Sequence, residues 1–292
     1  MRAASSAKVK GRDAVSSSRL LVFDADPALH ELVAPVLRRD GRSIQDAYDR
    51  REALAALRHS ACDVVLAGQG RNGDDGLKLL HRVRSIRPET KVILAGSRDP
   101  AGALAAIRGR AYSYFHKPLP AGPLADMVQL ALEGDAWRDD IRVTSARPEW
   151  ITLDVRCKLD AAERTAQFIR EVLADLEPQQ AEDIAQAFRE LLLNGIEHGG
   201  KSDAHKRVRA SLLRTAHTVM THVADPGRGF SLDALPHAAI SNPDGSPTQH
   251  LEYREEQGRR PGGFGILMSR HLVDELLYNE RGNAVMAIKY LK

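Results

Sequence analysis

The chain has 292 residues, 43% of them hydrophobic, enough to bury two cores of about 120–150 residues each. Its 42 Lys and Arg against 39 Asp and Glu leave a net charge of +3, too small to point to nucleic acid, and no basic run is interleaved with aromatics. Cys62 and Cys157 lie far apart without a CxxC spacing, which argues against a disulfide framework or zinc site and predicts two buried thiols in a reducing compartment.

Residues 1–18 are rich in Ser, Ala, Lys and Arg and lack an apolar signal core, so they read as a disordered tail. No apolar run approaches the ~20 residues of a membrane span, and a cytoplasmic location is expected. From residue 19, short apolar runs at 20–23, 64–67, 92–95 and 112–115 predict strands, with a weaker candidate at 43–46. Helical spacing fills 27–39, 51–60, 76–86, 102–109 and 124–133. Strands alternating with helices predict an α/β domain over 19–134, a doubly wound parallel sheet with ligand sites at the carboxyl ends of its strands.

Residues 135–149 are charged and interrupt this pattern, so they read as a linker that extends the preceding helix. Residues 150–157 alternate like a strand with one buried face. Helices follow at about 161–176 and 181–198, with Pro178 well placed near the start of the second. Strands at 207–213 and 218–224, a polar loop to residue 260, a helix at 265–273 and strands at 275–279 and 284–291 complete 150–292. The weaker alternation predicts an α+β sandwich with helices on one face of a mixed sheet.

Three motifs in this second half carry chemistry. Glu190, Asn194 and His198 are spaced i, i+4 and i+8, along one face of a helix, beside an apolar stripe of Ile184, Phe188, Leu191 and Gly195. By itself that is an ordinary surface helix. Asp225 follows an apolar strand and precedes Pro-Gly227-Arg-Gly229, where a strand-end carboxylate can accept a hydrogen bond from a base amino group and the glycines allow close approach. An ordinary Asp-Pro-Gly turn would look the same. Gly262-Gly263-Phe-Gly265 then opens a helix, where free N–H groups and the helix dipole attract phosphate.

These motifs in order, with residues 269–276 and 282–289, resemble the RsbW-type anti-sigma factor serine/threonine kinases of the GHKL ATPase superfamily. The resemblance covers 150–292 and implies a Bergerat ATP-binding sandwich. It implies that Asn194 ligates Mg²⁺, Glu190 is the general base, Asp225 reads adenine, Gly227 and Gly229 line the base pocket, and Gly263 and Gly265 wrap the phosphates of ATP. His198 matches a common family residue and is expected to pack. Residues 231–259 would be the ATP lid. The implied activity is phosphoryl transfer to a STAS-domain antagonist, with sequestration of a sigma factor or equivalent target. A scaffold that binds nucleotide without catalysis is the alternative. A sensor histidine kinase would need a phosphoacceptor helical hairpin before the ATP domain, and residues 135–149 are too few and hold no His.

The first half, through Asp24-Ala-Asp26-Pro27, the strand ending at Gly68, and Lys117-Pro118, resembles a flavodoxin-like response-regulator receiver over 19–134. That resemblance implies an acidic pair for Mg²⁺, an aspartate acceptor and a signalling hydroxyl. Here Lys117 is present and Asp24 and Asp26 are acidic, but Ala25 falls where one of the paired acids is expected, Gly68 stands at the acceptor position and Gly96 replaces the hydroxyl residue. Asp74 and Asp75 fall too late in the loop to substitute. The expectation is a pseudo-receiver serving as a docking or dimerisation module, with a homodimer among its partners and no direct nucleic acid or membrane contact.

Overall fold

The computed structural model describes residues 18–37, 42–70, 74–134, 136–229 and 265–291. Residues 1–17, the loop expected as a lid and Gly263 lie outside them. The first half holds β1 (Arg19–Phe23), β2 (Ser43–Ala47), β3 (Val64–Ala67), β4 (Lys91–Gly96) and β5 (Ser113–His116) in one parallel sheet of order β2-β1-β3-β4-β5. The period of two sorts its residues to opposite faces. Leu20 and Val22 are buried with Leu29 and Val33 of α1 (Pro27–Leu37) and Leu124 and Val128 of α5 (Ala121–Glu133). Leu21 and Phe23 are buried with Leu57 of α2 (Arg50–His59), Leu79 of α3 (Asp75–Ile86) and Leu104 of α4 (Pro100–Gly109). α4 begins two residues before its expected start, because the Asp99 carboxylate caps Ala101 N at 2.9 Å and Pro100 suits the first turn.

The second half holds β6 (Ile141–Arg147), β7 (Trp150–Arg156), β8 (Arg207–Arg214), β9 (Thr218–Ala224), β10 (Glu275–Tyr278) and β11 (Ala284–Tyr290) in a sheet of order β10-β11-β9-β8-β7-β6. Two expectations are corrected here. Every described ladder of this sheet is antiparallel, so it is not mixed. Residues 141–147, read as linker, are its edge strand, and α5 stops at Glu133. The charge that hid this strand is what an exposed sheet edge carries. Helices α6 (Leu159–Val172), α7 (Pro178–Asn194) and α8 (Gly265–Leu272) complete the domain.

The two halves share a core. One buried cluster runs from Leu21, Leu79 and Leu104 into Ile151, Phe168, Phe188 and Val223, without a break between domains. The joint is α6, laid against β5 and α4. Arg164 Nε donates to Tyr112 O at 3.0 Å, Gln167 Nε2 donates to Tyr114 O at 3.0 Å, and Glu171 Oε2 accepts His116 N at 3.0 Å and lies 2.8 Å from His116 Nδ1. Residues 164, 167 and 171 lie on one helix face, and they meet every second residue along the strand. Arg164 is buried, with its guanidinium carbon 4.2 Å from the Tyr112 ring centroid and 5.2 Å from that of Trp137. Its Nη1 is 3.6 Å from Asp140. Burial pushes the Glu171 carboxyl above its usual range, and its bonds to His116 and Gln167 oppose that rise.

Replacing Glu171 with Ala strips the His116 main-chain N–H and the Gln167 amide of their acceptor, and is expected to cost about 1–3 kcal/mol in urea unfolding of the full chain. Glu171→Gln keeps an acceptor oxygen and should recover most of that loss; equal instability of both variants would show that the buried hydrogen bonds are not what matters.

Candidate functional site

α7 starts with Pro178 in its first turn and Glu177 accepting Gln180 N at 2.9 Å, and its apolar stripe of Ile184, Phe188 and Leu191 is buried. That fixes the rotation of the helix and leaves Glu190 and Asn194 partly exposed on the other side. Both face the start of α8. A Cβ placed on Gly265 would stand 3.1 Å from Glu190 Oε2 and 3.3 Å from Asn194 Nδ2, so the sequence-distant glycine, carboxylate and amide share one cradle. Ser269 Oγ, buried, donates to Gly265 O at 2.8 Å and ties down this first turn of α8. Gln186 Nε2 donates to Met268 Sδ at 3.3 Å and fastens α8 along α7.

After Asn194 the chain winds as a π-helical turn, Gly195–Gly199, with i→i+5 bonding. His198, expected to pack, is exposed on that turn. The same turn backs Asp225. Gly195 and Gly199 are both packed against the Asp225 side chain: a Cβ on Gly199 would lie 2.1 Å from Asp225 Cγ. Asp225 Oδ1 accepts Gly227 N at 2.7 Å, and a Cβ on Gly227 would meet Gly199 Cα at 2.9 Å. The half-buried carboxyl is pushed above its ordinary range by desolvation, with the Gly227 N–H opposing. Gly229 follows, against the turn whose Asn283 O accepts Asp225 N at 2.9 Å. Its φ of +82° and its approach to Arg281 O place it against the β10–β11 turn. Among the described residues no group of three or more His, Cys, Asp or Glu gathers as a metal site. An ion held by Asn194 Oδ1 together with phosphate and water oxygens would suit a hard cation.

At the carboxyl end of the parallel sheet, Asp24 is buried and its Oδ2 pairs with Lys117 Nζ at 2.6 Å. Asp24 Oδ1 accepts Asp26 N at 2.9 Å, while Asp26 turns away and caps Ala28 N at 3.0 Å. The two acids therefore do not converge as a pair. A Cβ on Gly68 would fall 1.8 Å from Asp24 Oδ2: the Asp24 carboxylate occupies the space a side chain at 68 would need. Gly96 is likewise filled across, by Tyr114, whose hydroxyl would meet a Cβ there at 2.2 Å and which donates to Ser97 O at 2.8 Å. Asp74 pairs with Lys78 at 2.7 Å, and Asp75 is buried with Arg50 at 3.9 Å.

Family models agree with this division of the chain. The response regulator receiver domain matches residues 20–129, and the histidine kinase-like ATPase domain matches residues 155–289. The chain is a receiver domain joined to a GHKL-type ATPase domain. Among curated proteins, the receiver half is 31% identical over 126 residues to the nitrogen assimilation regulatory protein NtrX of Azorhizobium caulinodans, covering 42% of this chain and 28% of that protein. It is 34% identical over 100 residues to the probable transcriptional regulatory protein TcrX of Mycobacterium tuberculosis, covering 34% of this chain and 43% of the relative. This chain therefore spans less than half the length of either. Among solved structures, the receiver domain of NtrX from Brucella abortus is 31% identical, covering 40% of this chain and 99% of that one, with a TM-score of 0.37.

Several residues of the site escape sequence reading. Gly199 is visible only as a glycine ending a helix, and its contact with Asp225 needs the folded sheet. His30 is buried on α1, with Nδ1 2.7 Å from Asp46 and Nε2 2.9 Å from Asp24 O, so it braces the end of β1. A lone histidine on a helix gives no such signal. In the receiver domain, Gly68→Ala should displace Asp24 from Lys117 and lower stability by about 1–3 kcal/mol, as overpacking does. A melt unchanged from wild type would mean that the Asp24 carboxylate does not hold that space.

Proposed function

We propose that the chain is a cytoplasmic partner-switching regulator whose ATPase domain is a Mg·ATP-dependent serine/threonine protein kinase of the anti-sigma factor type. Its substrate is a STAS-domain antagonist, and its second partner is a sigma factor or an equivalent target. The observation that carries this reading is the convergence of Glu190 Oε2, Asn194 and Gly265 on one cradle, with Asp225, just after β9, packed against the turn that continues α7. A binding scaffold needs the amide, the glycine and the adenine-reading carboxylate, but not a carboxylate beside the phosphates.

In this reading Asp225 orients the base, the N-terminus of α8 takes the phosphates, and Glu190 Oε2 receives the proton of the acceptor serine hydroxyl. The serine oxygen forms its bond to the γ-phosphorus as the bond to the β-γ bridging oxygen breaks and ADP leaves. Mg²⁺ held at Asn194 would supply charge neutralisation on the phosphates. Most of the work is positioning, and the residues named stand on helices and at the end of an interior strand. The receiver domain serves as a docking module without phosphoryl chemistry, because Gly68 offers no carboxylate and Asp24 is already paired with Lys117. Among the described residues no helix is long and apolar enough to cross a membrane.

Incubating the full chain with radiolabelled Mg·ATP and a serine-bearing STAS-domain protein should label that protein. Glu190→Gln should reduce transfer by about a hundredfold or more while leaving the ATP dissociation constant within about threefold. Transfer that survives the change removes Glu190 as the base. Labelling absent from wild type that still binds ATP favours the scaffold.

A pH series separates the role of Asp225. Its carboxylate form accepts a stronger hydrogen bond from the adenine amino group than the protonated acid does, and burial raises its protonation range. Affinity for ATP, read by calorimetry, should be full above that range and fall as pH drops through it, at a higher pH than an ordinary aspartate would give. Asp225→Asn should bind weakly and lose this slope; an unchanged profile would remove Asp225 from the base pocket.

A further inference from the structure

Arg189 and Glu190 are neighbours in sequence on α7, so their side chains leave the helix about 100° apart and do not meet by default. Here they do meet. Arg189 Nη1 donates to Glu190 Oε1 at 3.0 Å. What draws the guanidinium across is Glu163 on α6: its Oε2 accepts Arg189 Nε at 2.9 Å, and its Oε1 accepts from Nη2. The fork of donors on one guanidinium thus spans two carboxylates on two helices, a geometry an ammonium cannot reproduce. These bonds hold Arg189 charged, above even its ordinary range, with the Glu163 hydrogen bond as the leading cause.

The consequence falls on Glu190. Its two oxygens are no longer equivalent: Oε1 is taken by Arg189, and Oε2 is the atom nearest the space beside Gly265. We propose that Arg189, braced by Glu163, is a positioning residue that selects Glu190 Oε2 as the oxygen presented to the phosphate side of the site. This rests on the reading of Glu190 as the base. The brace itself has little freedom. Glu163 precedes Arg164, and α6 is bound to the receiver strand through Arg164, Gln167 and Glu171. The carboxylate at the reaction site is therefore oriented from the helix that also joins the two domains, and a shift of α6 on β5 would reach Glu190 through two hydrogen-bonded side chains.

The test is steady-state consumption of Mg·ATP by the full chain in the presence of a serine-bearing STAS-domain protein, with kcat and KM separated and folding checked by thermal melt. Arg189→Gln and Glu163→Gln should each lower kcat about tenfold or more with KM for ATP within about twofold, since the loss is of orientation rather than binding. The double variant should be no slower than either single one, because both changes break the same brace. Arg189→Lys should restore only part of kcat, and with Glu163→Gln it carries the test if Arg189→Gln does not fold. A brace that served stability alone would lower the melting temperature and leave kcat untouched. Unchanged kcat in these variants, with Glu190→Gln inactive, overturns the positioning role and leaves the base assignment standing. ATP consumption that is absent from wild type, or undiminished in Glu190→Gln, overturns the base reading and this inference with it.

Discussion

Helix α6 is the constraint on which the rest of the molecule depends. One of its faces closes the apolar core of the ATPase domain through Phe168, Ile169 and Val172. Another presents Arg164, Gln167 and Glu171 to the main chain along the edge of the receiver sheet. A parallel sheet edge is polar and exposed, and covering it with a helix is one of the few ways to leave it unavailable for pairing. Here the cover is built from long polar side chains whose donors and acceptors match the strand, and that match is specific to one register. Buried groups such as Arg164 would destabilise the joint if misaligned, so the two domains meet in one arrangement.

The receiver domain shows how neighbouring side chains close over glycines at the carboxyl end of its sheet. Gly68 and Gly96 leave space at the ends of β3 and β4, and close packing does not tolerate voids. Asp24 fills the first and Tyr114 the second, each held by a hydrogen-bond partner, Lys117 and Ser97 O. Tyr114 also lies on the strand that α6 covers, so the filled site and the domain joint share an element. The sheet keeps its order and register while the groups at its carboxyl edge are paired with one another.

Much of this architecture is legible along the chain. The alternation of short branched runs with amphipathic stretches marks β1 to β5 and their helices to within a few residues, because each pattern reports burial on a fixed period. The order of Glu190, Asn194, Asp225 and Gly265 points to a nucleotide site for a similar reason: each residue sits at the end or on the face of an element the pattern had already placed. Residues 141–147 were hidden because an edge strand has only one neighbour and carries charge, so its composition reads as linker. The antiparallel sense of the second sheet was equally hidden, since hydrophobic alternation carries no direction. The exposure of His198 was hidden too, because the π turn that carries it depends on packing around Gly195 and Gly199, which no spacing rule contains.

By itself, then, the sequence determined most of the elements, the apolar faces they bury and which chemical groups are at hand, since these follow from local periodicity and residue type. Only the tertiary structure decided which groups meet. Gly199 lies against Asp225, Asp24 fills the space over Gly68, and Glu163 reaches Arg189 from another helix because the packing of sheets and helices brings positions far apart in sequence within a hydrogen bond of each other. Those long-range contacts are set by the shared core between the two domains. A pattern read a few residues at a time has no term for it.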